Sequence, residues 1–346
     1  MRIVIATVQV PFVHGGAESL ANGLLSALRA AGHQVEIVTM PFRFHSVAEV
    51  LRTMDVWQGE QLEQINGYRV DRVIALKFPA LYLQHPVKVA WLLHQHRSVY
   101  DLWETRYGAD LRALPEGVEL KRAITERDTA TLRSYKRVFT IAKEVSMRLQ
   151  QYNGLPSTPL YHPPPLEGRV FSAAAEPYVF FPSRLEELKR QSLLVEAMRH
   201  TRTPIVALIA GDGGFRDQLE GLVRHYDLSQ RVRLLGRITE DDMLAYYAHS
   251  LGVFFGPFEE DYGYVTLEAM LAEKPVVTCT DSGGPLEFVV PGETGLVVAP
   301  EPKAIAEALD QLYLDKGRSI AMGRAGAARY RSLGISWPRV CEELLS

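Results

Sequence analysis

The feature that most narrows the fold is the rhythm of residues 178–314. Apolar runs at 178–183, 205–210, 231–235, 251–255, 275–279 and 295–298 alternate with segments of helical spacing near 190–200, 214–226, 240–249, 264–273 and 302–314. Short branched apolar runs suit strands buried on both faces. Strands that alternate this regularly with helices build a parallel sheet wrapped by helices.

The start of the chain repeats the plan. Residues 2–7 read as a buried strand, Gly15 and Gly16 as a turn, and 17–31 as a helix carrying Leu20, Leu24, Leu25 and Leu28 on its apolar face. Gly32 stops that helix, and 34–40 alternates as a second strand. Strand–helix–strand is the right-handed crossover of α/β folds. Farther on, 72–76, 88–94 and 138–142 read as strands, and 120–135 (rich in bases) and 143–152 as helices. Pro163, Pro164 and Pro165 exclude helix and central strand and mark 154–168 as a stiff connector. The expectation is therefore an α/β protein of two Rossmann-like domains, 1–165 and 166–334, facing across a cleft. A last helix at 335–346, with Ser336 as N-cap and Pro338 in its first turn, would pack back on the first domain. Ligands of such sheets sit at the carboxyl ends of the strands.

Composition fits this reading. A chain of 346 residues is too long for one comfortable core, and 47% hydrophobic with 23% charged residues excludes a disordered or collagen-like chain. No apolar run has the length of a membrane span, and the first residues lack the layout of a signal peptide. Cys279 and Cys341 are the only cysteines. Two cannot form a disulfide framework or a four-cysteine zinc site, which fits a reducing compartment and a cytoplasmic location. Residues 1–165 carry 19 Lys/Arg and 15 Asp/Glu, whereas 166–346 carry 19 and 26. The asymmetry is either compositional noise or a basic half facing an anionic substrate or lipid surface.

The loops after the strands carry the chemistry. Neither G-x-G-x-x-G nor a Walker-type phosphate loop occurs, and no D-x-D pair is present to hold a divalent ion. His94 and His96 would share a strand face, but no carboxylate or thiol stands obviously beside them, so no metal is expected. After the run ending at Gly256 comes FEEDYGYVTLEAM, which opens a helix. Glu260 would lie in the loop and Glu268 about one turn into the helix, with the free N–H groups of the helix start between them. That layout suits a ligand with hydroxyls at both ends and phosphates in the middle, as in a sugar nucleotide. The plainer reading is acids that complement the helix dipole. After residues 178–183 comes RLEELKR, whose Arg184 and Lys189 match a diphosphate. Gly15-Gly16 and Gly283-Gly284 let backbone approach a ligand closely, or simply turn the chain.

Together, FFPSRLEELKR, LIAGDGGFRDQLEGL, VRLLGRITEDDMLAYYAHS, FEEDYGYVTLEAMLAEKPVVTCTDSGGPLEFVVPGETGLVV and the opening GGAESLANGLLSALRAAGHQVEIVT resemble the retaining glycosyltransferases of family 4, with their GT-B fold of two Rossmann-like domains. The resemblance implies roles. Arg184 and Lys189 match the pair that grips the donor diphosphate, Glu260 the acid that holds the donor sugar's hydroxyls, and Glu268 the acid on the nucleotide ribose. Tyr262, Gly263, Tyr264 and Val265 match the stretch whose backbone meets sugar and phosphate. Gly15 and Gly16 match the first-domain loop beside the phosphates, Arg237 and Ile238 border the base, and His94 falls where many members place a residue near the transferred sugar. The implied reaction moves a sugar from a UDP- or GDP-linked donor to a hydroxyl of a growing glycan or glycolipid, with retention, in cell-surface polysaccharide or lipopolysaccharide synthesis. The implied first domain binds the acceptor and the second the nucleotide sugar, with no cofactor or metal and no nucleic acid partner. Segment 121–137 is either a solvated basic helix or a peripheral contact with the inner face of a membrane. The alternatives are a sugar-nucleotide 2-epimerase of the same fold and a non-catalytic sugar-nucleotide-binding subunit. Ser183 in place of the family's usual Gly, and Asp261-Tyr262 in place of its frequent Gly-Phe, are departures from the pattern.

Overall fold

A computed structural model describes residues 1–12, 15–43 and 46–346. The chain divides into two α/β units, Met1–Pro163 with Ser336–Ser346, and Pro164–Ile335.

The first unit holds a parallel sheet of β1 (Arg2–Gln9), β2 (Gln34–Pro41), β3 (Arg72–Ala75), β4 (Lys88–Leu92), β5 (Val138–Thr140) and β6 (Thr158–Pro159), in the order β2-β1-β3-β4-β5-β6. Helix α1 (Gly16–Ala30) follows β1 and buries Leu20, Ala21, Leu24 and Leu28, the face that its leucine spacing dictates. Helix α2 (Val47–Gly59) lies in a stretch where the sequence reading placed no element; it buries Val50, Met54 and Trp57 behind a Ser46 cap. Helices α3 (Gly117–Arg133) and α4 (Lys143–Asn153) complete the main layers.

Two readings are corrected here. The fourth strand stops at Leu92, so His94 and His96 stand in the following loop and not on one strand face. The connector at 154–168 is not all linker, since Thr158–Pro159 pairs with β5 as an edge strand. Proline is tolerated there because an edge strand leaves one side unpaired.

The second unit has β7 (Tyr178–Pro182), β8 (Val206–Ala210), β9 (Val232–Gly236), β10 (Gly252–Phe254), β11 (Val276–Cys279) and β12 (Gly295–Val298), all parallel, in the order β9-β8-β7-β10-β11-β12. This is the doubly wound order, with the chain reversing direction across the sheet between β7 and β10. Register places Phe180 beside Leu208 on one side and Val253 on the other. Helices α5 (Gln191–Ala197), α6 (Arg216–His225), α7 (Glu240–His249) and α8 (Tyr264–Leu271) connect successive strands, and α9 (Pro302–Leu314) and α10 (Lys316–Ser332) follow β12. Every residue of β7 is buried, and Phe181, Phe254 and Phe255 pack edge to face in the core. Burying one such ring contributes about 2–3 kcal/mol.

Helix α11 (Trp337–Leu345) closes the first unit. Its Trp337 ring lies against Gly23, where any side chain would collide, and edge-on to Trp91. Arg72 Nη1 donates to the Leu344 carbonyl at 2.7 Å and Arg137 pairs with Glu343 at 3.0 Å, which fastens the last turn. Among the described residues no helix is long and apolar enough to cross a membrane.

Candidate active site

The reversal between β7 and β10 leaves a crevice at their carboxyl ends, where successive loops diverge instead of covering one another. The loops after β7, β8, β9, β10 and β11 all leave this carboxyl edge of the sheet. Phe258 N–H donates to the Leu188 carbonyl at 2.8 Å, which ties the loop after β10 to the loop after β7. Glu259 and Glu260 N–H groups donate to the Asp281 and Ser282 carbonyls, each at 3.0 Å, and Gly284 N–H returns a bond to the Glu260 carbonyl at 2.7 Å. The Gly283-Gly284 turn thus shapes this loop from behind. Gly283 has φ +66°, and a Cβ there would lie 2.5 Å from the Glu260 carbonyl oxygen. Only glycine meets both demands.

Lys189 and Glu260 meet directly as an ion pair, with side chains 16% and 18% exposed. The Lys189 ammonium also lies 5.8 Å from the Phe255 ring centre. Arg184 is more open and pairs with Glu186 at 2.8 Å. These two cations therefore hold local carboxylates in this state, one of them the acid singled out for the sugar.

Gly263, with φ +86°, is the N-cap of α8 and turns the chain into it. Tyr262 is buried, its ring edge-on to Tyr264 and Phe288. Its side chain therefore anchors the loop against the core. Glu268 is only 8% exposed and accepts a 2.7 Å bond from the Tyr247 hydroxyl. Burial pushes its carboxyl up to about 7, against which the Tyr247 bond acts, while Glu240 adds to the rise. Burial pushes the Tyr247 and Tyr264 hydroxyls far up as well, helped by the nearby Glu268.

Arg237 is exposed and reaches Asp212 at 3.3 Å, while its neighbour Ile238 is half-buried beyond β9. The other three named residues lie in the first unit. Gly15 caps α1, its N–H bonded to Glu18 at 2.8 Å, and Gly16 is the first residue of that helix. His94 is half-buried and its Nδ1 lies 2.6 Å from the Gln95 carbonyl. Nearby, His96 is buried against Phe42 and Phe78, and burial lowers it to about 4. Among the described residues no three His, Cys, Asp or Glu side chains cluster as a metal-ligand set.

The sequence reading missed the residues that brace this site. Tyr247 supports Glu268 from α7, and its apolar neighbours at helical spacing gave it the look of plain core. Arg190 and Asp281 form a bidentate pair at 2.7–2.8 Å, but 91 positions separate them and no local pattern links them. On α3, Lys121 lies over the Trp103 ring and Arg127 pairs with Asp55, so part of that helix's positive charge is turned to its own unit.

Residues 169–329 match the family model of the glycosyl transferases group 1. The chain is 30% identical over 166 residues to alpha-1,3/1,6-mannosyltransferase ALG2 of Homo sapiens, covering 43% of this chain and 39% of that protein. It is 33% identical over 162 residues to a GDP-mannose-dependent alpha-(1-6)-phosphatidylinositol monomannoside mannosyltransferase of Mycobacterium tuberculosis, covering 43% and 42%. These alignments thus span about two fifths of either relative. In solved structures, sucrose-phosphate synthase of Thermosynechococcus elongatus superposes with a TM-score of 0.78 at 19% identity, over 99% of this chain and 96% of that one. HepE of Anabaena, solved with UDP and glucose, gives 0.72 at 18% identity over 100% and 98%. The structural likenesses show that the fold is GT-B, and the family match bears out the glycosyltransferase resemblance over residues 169–329.

Proposed function

Taking that match as the premise, we propose that this chain transfers a sugar from a nucleotide-diphosphate donor to a hydroxyl acceptor with retention of anomeric configuration. The observation that carries the reading is the meeting of Lys189 and Glu260 at the β7/β10 reversal, where a doubly wound sheet binds its ligand.

The roles are those that the resemblance implies. On donor binding, Lys189 and the exposed Arg184 exchange their carboxylate partners for the diphosphate. Both cations then meet the charge that builds on the departing β-phosphate. Glu260, released from Lys189, orients the sugar hydroxyls. The left-handed turn at Gly263 aims the backbone of Tyr262, Gly263, Tyr264 and Val265 at sugar and phosphate, and Glu268, braced by Tyr247, receives the ribose. Arg237 and Ile238 border the base. The transferred carbon passes through an oxocarbenium-like state, and same-face attack assisted by the leaving phosphate gives retention. No resident metal is part of this proposal. The first unit binds the acceptor, with Gly15, Gly16 and His94 as the residues to examine, and the acceptor is a hydroxyl of a growing glycan or glycolipid of the cell surface. The relatives' names, which include a mannosyltransferase acting on a phosphatidylinositol mannoside, support an acceptor of that class.

Transfer and epimerisation are separated by NMR of UDP- and GDP-hexoses incubated with the protein, with and without glycan acceptors. Donor consumed only with acceptor present, with the product anomer matching the donor, supports the proposal. Conversion of donor to its 2-epimer without acceptor, or no conversion at all, counts against it.

A further inference from the structure

We propose that Arg190 is a positioning residue, whose guanidinium locks the three loops of the β7/β10 crevice together and thereby sets the Lys189–Glu260 pair. The inference rests on the donor-site reading above and adds a residue to it.

Arg190 follows Lys189 directly, yet it does something different. It is only 7% exposed, and its guanidinium is engaged on every nitrogen. Nε donates to the Gly256 carbonyl at 2.8 Å and Nη2 to the Pro257 carbonyl at 2.6 Å, both in the loop after β10. Nη1 and Nη2 hold the Asp281 carboxylate, in the loop after β11, at 2.8 and 2.7 Å. Arg190 itself ends the loop after β7. Five N–H donors that diverge within one rigid plane can serve separate loops at once, which an ammonium cannot do with the same geometry. A guanidinium so enclosed is not placed to grip a diphosphate.

The backbone supports the same conclusion. Arg190 has φ +54° and Glu259, next to the acid of the pair, has φ +50°. Left-handed backbone is one that glycine enters freely and other residues at a cost, and such strain persists where surrounding bonds over-determine it. Here the four guanidinium bonds supply that constraint. They act on both sides of the functional pair, since Lys189 precedes Arg190 and Glu260 lies three residues past Pro257. Asp281 also presents its backbone carbonyl to the Glu259 N–H, so the carboxylate held by Arg190 belongs to the residue that supports the Glu260 loop.

Arg190→Gly is the informative substitution, because glycine suits φ +54° and the Asp281 side chain, 31% exposed, can then be solvated. Native-state hydrogen exchange should show the Glu259, Glu260 and Gly284 amides exchanging at least about tenfold faster, with the amides of β7 and β8 within about twofold of wild type. Unchanged loop amides would overturn the proposal. Should Arg190→Gly loosen the whole unit, Arg190→Lys keeps charge and bulk, and the same loop-selective acceleration is expected. Uniform acceleration in both variants would show a merely structural residue. Titration with UDP and GDP supplies the functional arm. The nucleotide that binds wild type should bind Arg190→Gly about tenfold more weakly, and the Arg190 effect should shrink below about threefold in a Glu260→Gln background, because the two act through one arrangement. Equal affinity in wild type and variant would sever Arg190 from the site. If wild type binds neither nucleotide, the donor-site reading fails, while the loop amides still decide the role of Arg190.

Discussion

Lys189 and Glu260 neutralise one another in the structure described here, and this sets what each substitution should do. Removing either leaves a mostly enclosed charge without its partner, at a cost of about 1–2 kcal/mol. Glu260→Ala should therefore lower the melting temperature by a few degrees, yet reduce transfer by about 100-fold or more, because a lost transition-state contact is costlier than a lost ground-state one. Steady-state rates beside melting curves check this, and a variant with wild-type turnover would remove Glu260 from the proposed role. Glu268 makes the opposite electrostatic case. Its carboxyl, pushed from an ordinary 4.5 to about 7 by burial, binds its proton more tightly folded than unfolded. Its favourable contribution is complete below about pH 4.5 and is lost as pH rises to about 7, a change on the order of 3 kcal/mol. Glu268→Gln keeps an acceptor for Tyr247 and removes the titration. The melting temperature of wild type should fall relative to this variant between pH 4.5 and 7. Parallel pH profiles would refute the buried titration.

At the scale of elements, the loop–helix junction at Gly263 is the most demanding piece of backbone. Gly263→Ala must hold φ +86° with a Cβ 3.1 Å from both Phe255 and Pro285. We expect a loss of about 1–2 kcal/mol and weaker nucleotide binding, read by melting and titration; unchanged values in both would show that the turn relaxes freely. Much at this scale was legible in the sequence. Most strands and helices of residues 178–314 were visible because the central strands β7, β10 and β11 are buried along their whole length and α6 and α9 carry an apolar stripe, so period and burial agree. Helix α2 was not, although Val50, Met54 and Trp57 share a face. Val47, Val50, Thr53 and Val56 dilute its helix propensity with β-branched residues, and only packing against the first unit's core settles the conformation. The fourth strand was read too long for a similar reason. Leu93 continues the apolar run, but the sheet's pairing ends at Leu92. The acids and cations of the site were visible as residue types at strand ends. What holds them, Arg190 to Asp281 and Tyr247 to Glu268, depends on contacts across 91 and 21 positions that only the folded chain brings together.

For the molecule as a whole, each unit is a parallel sheet with helices between its strands, and the order of strands decides where chemistry can sit. In the second unit the reversal falls between β7 and β10, and the RLEELKR and FEEDYGY segments lie in the loops after those two strands. This coincidence of topology and residue type is the central claim, and ligand-induced stabilisation tests it most directly. Melting temperatures of wild type and Lys189→Ala should be compared with UDP-, GDP- and ADP-sugars added at a large excess. At about 100 times the dissociation constant a bound donor adds about 2.7 kcal/mol to stability. At least one donor should raise the wild-type melting temperature by several degrees and leave that of Lys189→Ala almost unmoved. No shift with any of the three, or an equal shift in the variant, would contradict donor binding at the β7/β10 crevice.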